Sequence, residues 1–259
     1  MHDLLLPVIV AAFVAACASL LGSFAILKRM ALVGDAMSHV ALPGMGLALL
    51  FKFNPYIGAV AFLLVAVVGI WIVQYRSALS IDTIVGVFFT TSLAVGALIT
   101  PDQDLLEALF GNIAELTVFE SAISIIMSVV LIAAIIHIRK KLTLSMISGE
   151  IAHSVGINTS RLEFVFLLIF ALSVALGIRF VGALLMGSLV IIPAASAKNI
   201  AKSLKTFLIW SVVFGVFAAT LGMWIAYSRK VAPGPVFILI SACLFAASLV
   251  VRQVKKAAS

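Results

Sequence analysis

Asp35, His39 and Pro43 follow one another at four-residue intervals in Gly34-Asp35-Ala36-Met37-Ser38-His39-Val40-Ala41-Leu42-Pro43-Gly44, inside an otherwise apolar run. A carboxylate in hydrocarbon is costly unless it has a partner or a watery path. On a helix Asp35 and His39 share one face. Pro43 lacks the N–H that would bond the His39 carbonyl, so it frees that oxygen, and Pro43 with Gly44 marks a helix break. Carboxylate, imidazole and carbonyl together are ligand types for a divalent metal ion. One acid and one imidazole do not fill a four-coordinate zinc shell. Waters, a carbonyl or a second protomer must complete it, and an incomplete shell suits an ion that must also leave. The other reading of the pair is a buried ion pair or hydrogen bond that serves packing.

The remaining ionisable residues in apolar surroundings carry less. Asp82 opens an apolar run at Ser80-Ile81-Asp82-Thr83 and reads as a helix cap. His137 falls near a helix end, where a cation is favourable, and His153 lies in a polar segment. The loop with Asp102, Asp104, Glu107 and Glu115 reads either as a solvated loop or as a cation-attracting surface. Cys17 and Cys243 lie in apolar runs and read as small packing residues.

The elements that must hold these groups are membrane spans. The chain has 259 residues, 64% hydrophobic and 10% charged, against about half apolar and a quarter charged in soluble domains. Hydropathy gives spans at 4–27, 31–51, 56–75, 83–100, 117–138, 164–178, 181–197, 207–227 and 233–251. The run from Leu4 to Leu27 reads as a retained first helix. The sixth and seventh runs are short, and read either as two spans or as one span and a broken piece. The expected fold is therefore an all-α bundle of about eight to nine spans, one transmembrane domain over residues 1–259.

Orientation follows from basic residues in short loops. Nine spans put 13 of the 17 Lys and Arg on one side: Lys28, Arg29, Arg76, Arg139, Lys140, Lys141, Arg161, Lys198, Lys202, Lys205, Arg252, Lys255 and Lys256. Lys52, Arg179, Arg229 and Lys230 fall on the other with the acidic loop. This places the amino terminus outside and the carboxyl terminus in the cytoplasm. The charge of +7 serves topology, and nucleic acid is not an expected partner.

Two further stretches stand out. At about 139–163 a cytoplasmic segment contains Ser148-Gly149-Glu150-Ile151-Ala152-His153-Ser154-Val155-Gly156, a short helix capped by Ser148 and ended by Gly156. It reads as a docking helix or as an ordinary connection. Phe180 to Ala197 combines small residues with Pro193, which is expected to open the backbone near Leu189. Broken helices at membrane depth line cavities, and a kinked packing helix is the alternative.

Lys28-Arg29-Met30 before Gly34-Asp35-Ala36-Met37-Ser38-His39, then Leu109-Phe110-Gly111-Asn112, Glu150-Ile151-Ala152, Phe180 to Leu185, Ile191-Ile192-Pro193-Ala194-Ala195 and Ala232-Pro233-Gly234-Pro235 together resemble the ABC-3 family of metal-uptake permeases, nearest its zinc-uptake members. The resemblance covers nearly the whole chain. It implies a type II ABC importer permease in the bacterial plasma membrane, in contact with bilayer lipid. The implied partners are a second permease copy, cytoplasmic ATP-binding subunits and an extracytoplasmic metal-binding protein. It implies that Asp35 and His39 hold the transported ion, zinc or manganese, and that the segment with Glu150, Ala152 and Gly156 couples to the ATPase. Pro43, Gly44 and Pro193 are expected to shape the path by breaking helices. Asn112, where many zinc-type members carry an acid, and Leu42-Pro43-Gly44, which is similar to manganese-type members, leave the metal open.

The chain carries no GxxxxGK[ST] phosphate loop, so hydrolysis is expected in a separate subunit, with no permanently bound cofactor here. A secondary metal transporter coupled to another ion is the alternative, but the Asp35 stretch has no repeat in the second half. An intramembrane metalloenzyme needs a signature such as H-E-x-x-H, which the sequence lacks.

Overall fold

The computed structural model describes residues 2–30, 32–77, 79–99 and 117–257. The acidic loop of Asp102, Asp104, Glu107 and Glu115 and the stretch Leu109-Phe110-Gly111-Asn112 lie outside the described residues. The described residues form α1 (His2–Leu27), α2 (Val33–Val40), α3 (Leu42–Leu50), α4 (Pro55–Arg76), α5 (Ile81–Ile99), α6 (Val118–Ile147), α7 (Gly149–Ser154), α8 (Thr159–Val181), α9 (Ala183–Ile200), α10 (Leu204–Arg229) and α11 (Pro233–Ala257). Among them, eight are long and apolar enough to cross a membrane, α2 and α3 counting as one. With 18 residues α9 adds about 27 Å of helix.

Side-chain caps set several boundaries. Thr117 and Glu120 form a reciprocal capping box at α6, and Ser203 and Thr206 form one at α10. Asn54 caps α4 ahead of Pro55, Ser148 caps α7, and Asn158 caps α8. Gly156, at φ 79°, adopts after α7 a left-handed conformation that suits glycine.

The bundle has two groups of helices. One packs α1, α9, α10 and α11 together, and the other packs α3, α4 and α5. Helix α2 joins them by touching α9 on one side and α5 on the other, and α8 packs on α4, α1, α6 and α9. Glycines permit the tightest crossings. A Cβ at Gly22 would strike the Val190 carbonyl, and Cβ atoms at Gly44 and Gly58 would each strike the other residue's carbonyl. In hydrocarbon, such close contact supplies the packing attraction that lipid cannot.

The structure settles where the helices break, and it overturns the break expected at Pro193. The run 31–51 divides at Ala41, upstream of Pro43, and Ala41 keeps helical dihedrals of φ −71° and ψ −25°. Pro43 sits in the first turn of α3, where its missing N–H costs little. Pro193 does not interrupt α9, which runs unbroken from Ala183 to Ile200 against α1, α2, α10 and α11. One lost hydrogen bond is outweighed by packing on that many sides. The real break is Gly182, at φ 84° and ψ 162°, which separates α8 from α9 and resolves the two short runs into two helices. The segment 139–163 is filled by the end of α6, all of α7 and the start of α8.

Candidate metal site

Asp35 and His39 lie on α2, in the span with the highest buried share, 78% of Val33–Leu50 against 22% of Ile81–Ile99. His39 Nε2 is 3.9 Å from Asp35 Oδ1, on the shared face that the four-residue spacing requires. The imidazole is 8% exposed and tilts against the Phe89 ring at 5.4 Å between centroids. Its Nδ1 is buried without a hydrogen-bond partner among the described residues. The Asp35 side chain is 46% exposed despite the enclosure of its span. It therefore faces space that this chain does not fill. A pair serving packing alone would bury both members and close the hydrogen bond to about 3 Å.

Backbone packing fixes where this face points. A Cβ at Gly187 would lie 2.7 Å from the N, Cα and Cβ of Asp35, so α9 meets α2 on its backbone at the acid itself. Gly34 adds to the crossing, with its Cβ direction 3.2 Å from Val190 Cβ. Gly187 is 13 residues above the end of α9, roughly 20 Å by helical rise. Ser38 Oγ donates to the Asp35 carbonyl at 2.7 Å and closes the first turn. Among the described residues no third His, Cys, Asp or Glu joins the pair. The face thus brings together one carboxylate and one imidazole, at the spacing read from the sequence.

The other singled-out residues are placed differently. Pro43 and Gly44 are buried in α3, with Pro43 beside Gly96 of α5 and Gly44 against Gly58 of α4. Pro193 lies two turns beyond Gly187 on α9. Glu150 is exposed on α7, whereas Ala152 is fully buried and turned toward the bundle. Only Glu150 of that pair can meet a partner directly. Ile147, Ile151 and Val155, all more than half exposed, lie beside it.

Two polar knots at opposite ends of α8 were missed from the sequence. At one end Lys28 Nζ meets Glu163 Oε1 at 2.9 Å, and Gln74 Nε2 donates to Glu163 Oε2 at 2.7 Å. This joins α1, α4 and α8. A cavity of about 510 Å³ opens beside it, lined in part by Arg29, Met30, Ser145, Gly149 and Thr159. At the other end Arg179 pairs with Glu120 of α6 and lies 4.8 Å over the Tyr56 ring of α4. Ion pairs between distant stretches leave no periodic signal. The only hint was acids and bases at span ends.

Arg179 stands three residues before the Gly182 elbow, so the Arg179–Glu120 pair holds the end of α8 from which α9 departs. Arg179→Ala is expected to destabilise the protein by about 2 kcal/mol, the scale of a charged hydrogen bond. The double reversal, Arg179→Glu with Glu120→Arg, is expected to recover most of it. Thermal unfolding of the detergent-solubilised protein measures both. A variant that melts like the parent would show that the pair anchors nothing.

Comparison with known proteins identifies the chain's relatives. A family model described as the ABC 3 transport family matches residues 1–252. The manganese import system permease protein ScaB of Streptococcus gordonii is 33% identical over 251 residues, spanning 95% of this chain and 90% of that protein. The high-affinity zinc uptake system membrane protein ZnuB of Haemophilus influenzae is 30% identical over 260 residues, spanning 98% and 99%. The solved structure of PsaBC from Streptococcus pneumoniae in complex with Fab superposes with a TM-score of 0.82 at 30% identity, covering 96% of this chain and 91% of that one. With a family model spanning almost its full length and relatives aligned end to end, this chain belongs to the ABC 3 transport family.

Proposed function

We propose that the chain is the permease subunit of an ATP-driven importer of divalent metal ions, with zinc favoured and manganese next. The observation that carries the reading is the Asp35–His39 face: a half-exposed carboxylate and a buried imidazole whose Nδ1 has no hydrogen-bond partner among the described residues, in the most enclosed of the described spans. Relatives named for manganese import and for zinc uptake support the substrate class. A carboxylate and an imidazole serve both ions.

Two such faces, one from each of two permease copies, would complete the coordination shell. The exposed Asp35 side chain supports this arrangement. On the basic-residue rule, the end carrying Lys28, α7 and the carboxyl terminus faces the cytoplasm of a bacterial cell. ATP-binding subunits would dock there on α7, through Glu150 and its apolar neighbours, and Gly156 would set the exit of the chain from that helix. A metal-binding protein would deliver the ion to the opposite side.

The test is uptake of radioactive zinc by proteoliposomes holding the permease with its ATPase, with unlabelled zinc or manganese as competitor. Zinc is expected to compete more strongly. Manganese as the stronger competitor would reverse the order of preference, and no metal-dependent uptake would end the reading. In the same preparation Glu150→Lys is expected to hydrolyse ATP while transporting little. Normal coupling in that variant would reduce α7 to a linker.

A further inference from the structure

Helices α6 and α10 both pack on α1, and a groove of about 390 Å³ lies between them. Ala16 and Leu20 of α1 form its floor. Ile132 and Ile136 line it from α6, and Leu208, Ile209, Val212 and Val213 from α10. Ile136, Ile209 and Val213 remain between 44% and 50% exposed, so the groove is open sideways to the bilayer. Its polarity is confined to one end. Arg139 is the last lining residue on α6, Lys205 is the first on α10, and the two helices run in opposite directions, so both cations stand at the same mouth.

That mouth coincides with the membrane boundary. Arg139 follows the apolar part of α6, and Lys205 lies in the first turn of α10. Both side chains are exposed, and neither has an ion pair among the described residues. Lys140, Lys141 and Lys202 stand close in sequence to these two and add positive charge at the same boundary. An apolar trough with two cations at headgroup level matches a phospholipid in shape, and its charge favours an anionic one. Its phosphate meets the cations and its acyl chain follows the isoleucines and valines.

We propose that the α1–α6–α10 groove is a binding site for an anionic phospholipid, with Arg139 and Lys205 holding the headgroup phosphate. The site requires only that the helices cross a bilayer; its assignment to the cytoplasmic leaflet rests on the orientation proposed above. A neutral zwitterionic lipid fits the trough equally well, so the preference must come from the two cations. Their contribution corresponds to a selectivity of about tenfold at low salt.

The experiment uses the full-length permease in nanodiscs of equal parts phosphatidylglycerol and phosphatidylcholine, with retained lipid counted by native mass spectrometry. The wild type is expected to retain phosphatidylglycerol about tenfold over phosphatidylcholine. Joint replacement Arg139→Gln and Lys205→Gln should abolish the preference, while Arg139→Lys with Lys205→Arg keeps it. Val212→Trp fills the trough, leaves the charges in place and should lose the bound lipid. Equal retention of the two lipids by the wild type, or an unchanged preference in the glutamine variant, overturns the proposal. Displacement by inorganic phosphate also overturns it, because it would reveal an anion site without a lipid trough. So does loss of permease dimers in Val212→Trp with the lipid count intact, because the groove would then be covered by a second copy.

Discussion

Asp35→Asn is expected to lower metal uptake by about 100-fold or more while leaving the permease in the membrane at its usual level. Loss of a group that merely orients a metal ligand costs up to about 100-fold, and a lost ligand costs at least as much. Asparagine keeps the size of the side chain, and its neighbour Gly187 contacts the Asp35 backbone and Cβ, which the change leaves alone. The folded protein should therefore persist. His39→Gln should fall as far, since on the proposed reading the imidazole is the second of two side-chain ligands and its Nδ1 has no competing partner among the described residues. The two losses should not add. Once one ligand is gone the shell no longer forms, and the double variant should resemble either single one. Uptake of radioactive metal, normalised to permease in the membrane, decides the matter. A packing role predicts the opposite pattern, with less permease in the membrane and full uptake per molecule that remains. Normal uptake in both variants removes Asp35 and His39 from the path.

The shared face of Asp35 and His39 was legible because its signal is local. Four-residue spacing on one helix fixes a common face, and an acid in an apolar run is rare enough to be informative. Spans were legible for the same reason, since twenty apolar residues need no partner to be seen. Helix breaks were legible only in part. Pro43 does mark a division, at Ala41 just upstream of it, whereas Pro193 leaves its helix whole and the other break falls at Gly182. A proline costs one hydrogen bond, and a helix packed on four neighbours bears that loss. Gly182 must supply a positive φ where two helices meet at an angle, and that demand comes from tertiary structure. Ala152 shows the same limit. The resemblance placed it with Glu150 in a segment that couples to a partner, but it is fully buried, with α7 packed on α6 and α8. The Lys28–Glu163–Gln74 and Arg179–Glu120–Tyr56 knots join residues dozens of positions apart, and nothing in the sequence pairs them.

Gly187→Ala is expected to cut uptake at least tenfold, through a residue that binds nothing. Its new methyl would sit 2.7 Å from three atoms of Asp35, two of them backbone, so no rotamer change relieves the clash. Helices α2 and α9 must separate, and the face carrying Asp35 and His39 moves with α2. Overpacking of this kind costs about 1–3 kcal/mol, and a binding face displaced by about 1 Å no longer holds its geometry. Gly86→Ala is the matched control. It makes the same change within a helix, where nothing lies within 4 Å of the new methyl. There the gain in helix propensity of up to about 1 kcal/mol should leave the protein as stable as before or slightly more so. Gly22→Ala tests the same helix from its other side, because its methyl would strike the Val190 carbonyl one turn along α9. It should destabilise as Gly187→Ala does. Thermal unfolding and uptake are measured for all three variants. If Gly187→Ala melts and transports like Gly86→Ala, the α2–α9 crossing does not position the metal face, and Asp35 must be held by other contacts.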